Sequence, residues 1–289
     1  VKRLALLGHP VGHSLSPALF GAACAELGVE ASYEAIDVPL REAFEAQAAR
    51  VTRGELAGCN VTLPHKVLAL RLAAEPTPNA VEVGAANVLF RTADGALGAD
   101  NTDVGALVQL LAPRAIRRAA VLGAGGAALA AVVAARRAGA LDVLAWSRGF
   151  EERGRADARW AALERAGATV AAFDARAWAH GAVDVLVQAT SAGMVGGPAP
   201  DWVLARAPLH HVRAGGLALD LVYRPARTPF VEAAARRGLE AKGGLDMLVL
   251  QASLSFDRWL GEPLGFVPGS ARDAMERAAR RALRQGAPA

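Results

Sequence analysis

Ala119-Ala120-Val121-Leu122-Gly123-Ala124-Gly125-Gly126-Ala127-Ala128 is the stretch whose reading decides the fold. Four apolar residues read as a buried strand, and the glycines after them open a helix that runs to about Ala138. A Gly-x-Gly-x-x-Ala turn set between strand and helix is the fingerprint of a dinucleotide-binding unit. The first glycine permits the tight turn, the second lets backbone approach a pyrophosphate, and the third small residue lets helix pack on strand. The helix N-terminus adds unpaired N–H donors and a positive dipole end. Read alone, the same glycines also suit a merely structural turn.

Outward from that motif, apolar runs at Leu141 to Trp146, Thr169 to Phe173, Val183 to Gln188 and Gly216 to Val222 continue a doubly wound αβ series. The second strand ends at Ser147-Arg148, where NAD-binding chains place an acid on the ribose 2′-hydroxyl. Arginine there favours a 2′-phosphate, hence NADP. Glu151 and Glu152 follow closely and keep NAD open, and Arg153 reads as an assistant or as an ordinary helix-surface residue.

Upstream, strand-like runs at Arg3 to Leu7, Tyr33 to Val38, Gly58 to Thr62 and Ala86 to Arg91 alternate with helical ones. Those helices are Pro17 to Leu27 with Ser16 as N-cap, Leu40 to Arg50, Lys66 to Leu72 and Val104 to Leu111. The alternation predicts an α/β fold with a largely parallel first sheet. After Gly243-Gly244, helices at Leu245 to Leu260 and Ala271 to Gln285 have no strand between them. At least one is expected to pack back on the first domain. The predicted organisation is a first α/β domain over 1–103, a Rossmann domain over 104–244, and C-terminal helices over 245–289.

At 289 residues the chain is long enough for two cores, and 53% hydrophobic content with 21% charge places it among globular proteins. The pI near 9.6 invites a nucleic-acid reading. Net charge is only +4 and no basic block with interleaved aromatics is present, so no nucleic-acid partner is expected. No apolar run reaches membrane-spanning length, and the first apolar run is too short for a signal peptide. Cys24 and Cys59 lack metal spacing and suggest no disulfide framework, which fits a reduced, cytoplasmic protein. The six histidines, His9, His13, His65, His180, His210 and His211, show no metal spacing, and no metal is expected. His13 and His65 read as braces for their loops.

Several residues suit chemistry as well as structure. Only Lys2, Lys66 and Lys242 of the 32 basic residues are lysines. Arginine stays protonated, whereas the lysine proton responds to its surroundings, so Lys66 after Asn60-Val61-Thr62-Leu63-Pro64-His65 suits proton transfer as well as a plain turn. Ser14 and Ser16 put two hydroxyls near a helix start, which suits a carboxylate; a simple cap explains Ser16 alone. Asp103, in Asn101-Thr102-Asp103, reads equally as an N-cap. Tyr223 alone suits a core tyrosine, and Gln251 a surface position on its helix.

Together these pieces resemble the shikimate dehydrogenase family over nearly the whole chain. The resemblance is carried by His13 to Pro17, Asn60 to Lys66, Gly84-Ala85-Ala86-Asn87, Asn101-Thr102-Asp103 and the Gly123 to Ala128 loop. Ala189 to Met194, Asp220 to Pro229 and Gly244 to Gln251 extend it. The chain departs from the family pattern at Phe20-Gly21, Leu129, Gln188 and Ser147-Arg148-Gly149.

The resemblance implies reversible NADPH-dependent reduction of 3-dehydroshikimate to shikimate, on the route to chorismate and aromatic amino acids. It implies Lys66 and Asp103 as the catalytic pair. Ser14, Ser16 and Tyr223 would hold the substrate carboxylate, and Thr62, Asn87 and Gln251 the ring hydroxyls. Gly123, Ala124, Gly125, Gly126, Ala127, Ser147, Arg148, Thr190, Met194, Leu221 and Gly244 would contact NADP. The expected partner is this small-molecule substrate, and the expected state a monomer or homodimer. Two alternatives stand beside it: a quinate/shikimate dehydrogenase or a form for an amino analogue, and a non-enzymatic shikimate/NADP sensor. The presence of both Lys66 and Asp103 argues against the sensor.

Overall fold

The computed structural model describes residues 1–171 and 181–284. The chain forms two compact units, Val1–Ala106 with Leu248–Ala289, and Leu107–Met247. The first unit is therefore built from two separate stretches of chain.

The first stretch runs β1 (Lys2–Gly8), α1 (Ser16–Leu27), β2 (Ala31–Asp37), α2 (Arg41–Thr52), β3 (Gly58–Val61), α3 (Lys66–Leu72) and β4 (Glu75–Pro76). It continues through α4 (Pro78–Val83), β5 (Val88–Arg91), β6 (Leu97–Asp100) and α5 (Thr102–Leu111). The six strands lie in the order β2-β1-β3-β5-β6-β4. The sheet is largely parallel, as expected, with one exception: β5 runs antiparallel to both β3 and β6. The five residues between β5 and β6 are too few for a crossover helix, so the strands form a hairpin. Its turn places Gly95 at φ 93° after Asp94, a turn signal that the alternating pattern hid. One face of the sheet is covered by a core that includes Leu7, Phe44, Val51, Leu56, Val61 and Leu89, all buried.

The second unit runs β7 (Arg118–Leu122), α6 (Gly126–Arg137), β8 (Asp142–Trp146), α7 (Arg148–Arg153), α8 (Ala158–Arg165) and β9 (Thr169–Val170). Then come β10 (Val183–Gln188), α9 (Asp201–Arg206), β11 (Val212–Asp220), α10 (Pro229–Arg236) and β12 (Glu240–Lys242). The order β12-β11-β10-β7-β8-β9, parallel throughout, is the dinucleotide-binding order with its switch point between β7 and β10. The strand read over Thr169 to Phe173 ends at Val170 among the described residues; Phe173, His180 and Gln285 lie outside them.

The chain closes with α11 (Leu245–Phe256), a π-helical turn (Asp257–Gly261), α12 (Glu262–Leu264) and α13 (Arg272–Arg284). In the first unit α13 packs on α1, and Arg277 pairs with Glu26. The widened turn seats the Trp259 ring on the start of β3, where its Nε1 donates to Leu89 O at 3.1 Å. A Cβ on Gly58 would lie 2.2 Å from that nitrogen. Glycine at 58 is thus demanded by the indole, not by backbone conformation. No described helix is long and apolar enough to cross a membrane.

Two buried side chains hold the loops that leave β10 and β11. Gln188 Oε1 accepts from Thr190 N at 2.6 Å, and its Nε2 reaches Thr190 O and Ala192 O at 3.3 Å each and Asp220 Oδ1 at 3.2 Å. Asp220 also accepts from Val222 N at 3.0 Å and from Thr228 Oγ1 at 2.5 Å. Thr228 in turn caps α10 through Val231 N. Burial pushes the Asp220 carboxyl up to about 6, against the opposing pull of Thr228, Val222 and Gln188.

Gly58→Ala must displace Trp259. Overpacking of this kind costs about 1–3 kcal/mol, so a thermal melt should fall by several degrees; an unchanged melting temperature would remove the indole as the reason for the glycine. Asp220 supplies a second test. Its folded pKa lies above the unfolded value, so its contribution is present below about pH 4 and lost as pH rises through about 6. Asp220→Asn should therefore gain about 2 kcal/mol relative to the parent chain between pH 4 and pH 7.5. Denaturant titrations at both pH values check it, and parallel pH profiles would refute it.

Candidate active site

The polar residues of the first unit converge where β3, β5, α5 and α11 meet. Lys66 opens α3 just past the turn after β3, in which His65 N bonds back to Thr62 O. The His65 ring stacks on Phe44 and bonds Val38 O at 2.6 Å, so it does brace this turn. Lys66 Nζ lies 2.5 Å from Asp103 Oδ2, with side chains 15% and 6% exposed. Asp103 is not the cap of α5. Asn101 takes that task, its Oδ1 accepting from Val104 N at 3.1 Å while its Nδ2 donates to Ala85 O at 2.8 Å. Asp103 in the first turn is left free to face the lysine.

Asn87 organises the pair from behind. Its Nδ2 donates to Asp103 Oδ1 and to Thr102 Oγ1, each at 2.9 Å, and its Oδ1 accepts from Thr102 N at 2.8 Å. Gln251 is not on the surface of α11: it is half-buried, with Oε1 3.5 Å from Asn87 Nδ2 and Nε2 donating to Leu248 O at 2.9 Å. Thr62 is half-buried beside Gly8, where its Cγ2 would meet any added Cβ.

Ser14 and Ser16 lie at the entrance to α1. Ser16 is the first helical residue rather than the N-cap, since Leu15 occupies the cap position without a side-chain bond. Ser14 Oγ accepts from Ser16 N at 3.2 Å and donates to Ser16 Oγ at 3.1 Å. Ser14 is therefore not idle, and the two hydroxyls adjoin. Tyr223 belongs to the second unit, three residues beyond β11.

In the second unit the dinucleotide loop has the features a pyrophosphate requires. Gly123 has φ 124°, and a Cβ there would lie 3.0 Å from Ala189 O. Gly125 caps α6 in extended conformation, and a Cβ there would meet nothing within 4 Å. Neither backbone nor neighbours demand that second glycine, and the open space beside it is what close approach of a ligand to the backbone would need. Ala128 and Leu129 are buried, so Leu129 serves the packing of α6. Gly244 sits where a Cβ would be 2.2 Å from Leu221 O, which ties the strand-end loop carrying Leu221 to the start of α11. Thr190 and Met194 lie on the loop that Gln188 holds.

Arg148 begins α7 directly after Ser147 and is exposed, with no ion pair among the described residues. The nearby acid Glu151 is engaged by Arg206 at 2.8 Å and by Trp202 Nε1 at 3.4 Å. Arg153 is held by Asp157, whose carboxyl Arg159 and Arg153 keep well below the usual range. The residues present fit NADP: a backbone cradle at Gly125 and an exposed arginine where a 2′-phosphate would lie.

Sequence reading passed over Tyr33, Asn60, Thr102 and Ser255, which share the polar network. Ser255 had a signal, lying four residues after Gln251 on one face of an apolar helix. Cys59 adds no chemistry, because burial pushes its thiol up to about 12. Among the described residues no cluster of His, Cys, Asp or Glu is placed to hold a metal ion.

Known proteins share this architecture. A family model described as the shikimate dehydrogenase substrate binding domain matches residues 6–89. Shikimate dehydrogenase (NADP(+)) of Thermus thermophilus is 39% identical over 287 residues, covering 97% of this chain and 98% of its own. The enzyme of that name from Paracoccus denitrificans is 38% identical over 269 residues, covering 89% and 90%. The crystal structure of shikimate 5-dehydrogenase from Thermus thermophilus, in complex with NADP(H) and shikimate, matches with a TM-score of 0.79 at 38% identity. That match covers 98% of this chain and all of the other. With such identity sustained over almost the full length of both sequences, the chain belongs to the shikimate dehydrogenase family.

Proposed function

We propose that the chain is an NADP-dependent shikimate dehydrogenase, interconverting 3-dehydroshikimate and shikimate on the route to chorismate and the aromatic amino acids. The observation that carries this reading is the Lys66–Asp103 pair, 2.5 Å apart and shielded from water, in a chain of this family. NADPH, when bound, supplies the hydride. The protein moves the proton: Lys66 Nζ donates it to the carbonyl oxygen in reduction and takes it back in oxidation. Asp103, anchored through Oδ1 by Asn87, presents Oδ2 to the lysine and so fixes the direction of its proton.

Thr62, Asn87 and Gln251 hydrogen-bond the ring hydroxyls, and Ser14, Ser16 and Tyr223 hold the carboxylate. The backbone from Gly123 to Ala127 receives the pyrophosphate at the N-terminus of α6. Ser147 and Arg148 take the 2′-phosphate, while Thr190, Met194, Leu221 and Gly244 line the remaining contacts. The substrate domain spans 1–103, the NADP domain 104–244, and the helices over 245–289 complete the former. The enzyme acts in the cytoplasm on small molecules, without nucleic acid or membrane, as a monomer or homodimer. Following NADPH oxidation with 3-dehydroshikimate tests the reading, and quinate with NAD in the reverse direction tests its nearest rival.

Lys66→Met fills similar space but carries no proton. Its turnover number should fall about 10²–10⁴-fold while shikimate still binds, and Lys66→Arg should recover little. Near-normal turnover in the methionine variant would reduce the lysine to a binding residue. Arg148→Ala removes charge-assisted bonds, so NADP affinity should fall roughly ten- to hundredfold with little change for NAD. Equal losses for both cofactors would sink the assignment of Arg148.

A further inference from the structure

Ser255, on α11, is fully buried, and none of the roles above uses it. Around its hydroxyl lie the Gln251 carbonyl oxygen at 2.8 Å, Asn60 Nδ2 at 2.9 Å and Thr102 Oγ1 at 3.2 Å. A carbonyl oxygen only accepts, so the single proton of Ser255 goes to Gln251 O. The Ser255 oxygen is then an acceptor toward both other partners. Asn60 presents a hydrogen to it because that amide is held on two other sides. Its Nδ2 also donates to Asn87 O at 3.2 Å, and its Oδ1 takes the Tyr33 proton at 2.8 Å.

These directions carry through to the ion pair. Thr102 turns its proton to Ser255, so Thr102 Oγ1 accepts from Asn87 Nδ2 at 2.9 Å. Asn87 Nδ2 turns its other hydrogen to Asp103 Oδ1, also at 2.9 Å, while its Oδ1 accepts from Thr102 N. Asp103 Oδ2 is thereby left to Lys66. The protons run one way, from Asn87 through Thr102 and Ser255 to the main chain of α11 at Gln251. Asn60, Asn87, Thr102 and Ser255 are each at most 6% exposed, so little water can replace a missing partner.

We propose that Ser255 is a positioning residue for the proton-moving pair. As the acceptor at the end of this line, it keeps Asn87 facing Asp103 with a hydrogen and so holds the carboxylate for Lys66. The proposal rests on the reading of Lys66 and Asp103 as the proton-moving pair of a shikimate dehydrogenase. Without the Ser255 oxygen, the Thr102 proton and one Asn60 hydrogen lose their acceptor in a buried setting. The Thr102 hydroxyl is then free to turn. Asn87 loses a fixed acceptor, and Asp103 Oδ1 its steady donor.

Ser255→Ala removes one oxygen from a helix that accepts alanine readily. In the full chain the turnover number should fall roughly 5- to 30-fold, as expected for a buried donor left unmatched beside the reacting groups. KM for NADP should not move, since no cofactor contact is altered. Ser253→Ala makes the same change at a buried serine of the same helix that takes no part in these bonds, and should keep normal turnover. Because Ser255 acts through Thr102, Ser255→Ala combined with Thr102→Val should cost less than the product of the separate losses. An unchanged turnover number in Ser255→Ala overturns the proposal. So does an equal fall in Ser253→Ala, which is what a merely structural serine would produce. Losses at Thr102 and Ser255 that simply multiply also overturn it. A parent chain inactive with 3-dehydroshikimate and NADPH would sink the functional reading and this one with it; an active parent with an unaltered Ser255→Ala sinks only this one.

Discussion

An ammonium and a carboxylate removed from water together must be matched and hydrogen-bonded, or the protein does better without them. Lys66 and Asp103 meet that demand through Asn87, whose side chain bonds Asp103 Oδ1, Thr102 Oγ1 and the Thr102 amide. Asn87 is itself anchored, since its carbonyl oxygen accepts from Val61 N and from Asn60 Nδ2. The antiparallel β5 follows from this constraint. Running against β3, it sets Val88 opposite both Asn60 and Asp100, so that Asn87 just before it bonds Val61 N through its carbonyl oxygen and Asp100 O through its amide. A wholly parallel sheet would not make that juxtaposition.

The second unit uses small residues where the first uses polar ones. Alanines fill α6 so closely that every residue from Ala128 to Ala135 is buried, and glycines bring backbone against backbone at Gly123 and Gly244. Its two polar anchors, Gln188 and Asp220, stand at adjacent strand ends and each holds the loop that follows. Gln188 departs from the family's asparagine, yet its longer arm still reaches Thr190 and Ala192.

The dinucleotide unit was legible because each of its signals is local: a strand, a glycine turn and a helix start within ten residues. Lys66 stood out by rarity, and Arg148 by its place at a strand end. What escaped was non-local. The β5–β6 hairpin was hidden because its Asp94-Gly95 turn and β6 lie between the Ala86 to Arg91 run and the Val104 helix, where no strand was assigned. Asp103 read equally well as a cap until Asn101 was seen to fill that position. Tyr33 and Ser255 are 222 residues apart and carry no shared motif; only folding brings both to Asn60. Pairings of that kind depend on topology, which periodicity does not encode.

The divided first unit has a consequence for the order in which the protein becomes competent. Gln251, Ser255 and Trp259 all come from the second stretch of that unit, more than 140 residues after Asp103. During synthesis the dinucleotide unit, being continuous in the chain, emerges whole and can fold first. The β-sheet that begins the chain meanwhile waits with the floor of its polar network missing and the Gly58 notch open. The last helices then arrive as a keystone. A nascent chain stalled before them would display a folded dinucleotide unit beside an unfinished sheet, so Lys66 and Asp103 meet their finished setting only once the helices beyond Leu245 have been made.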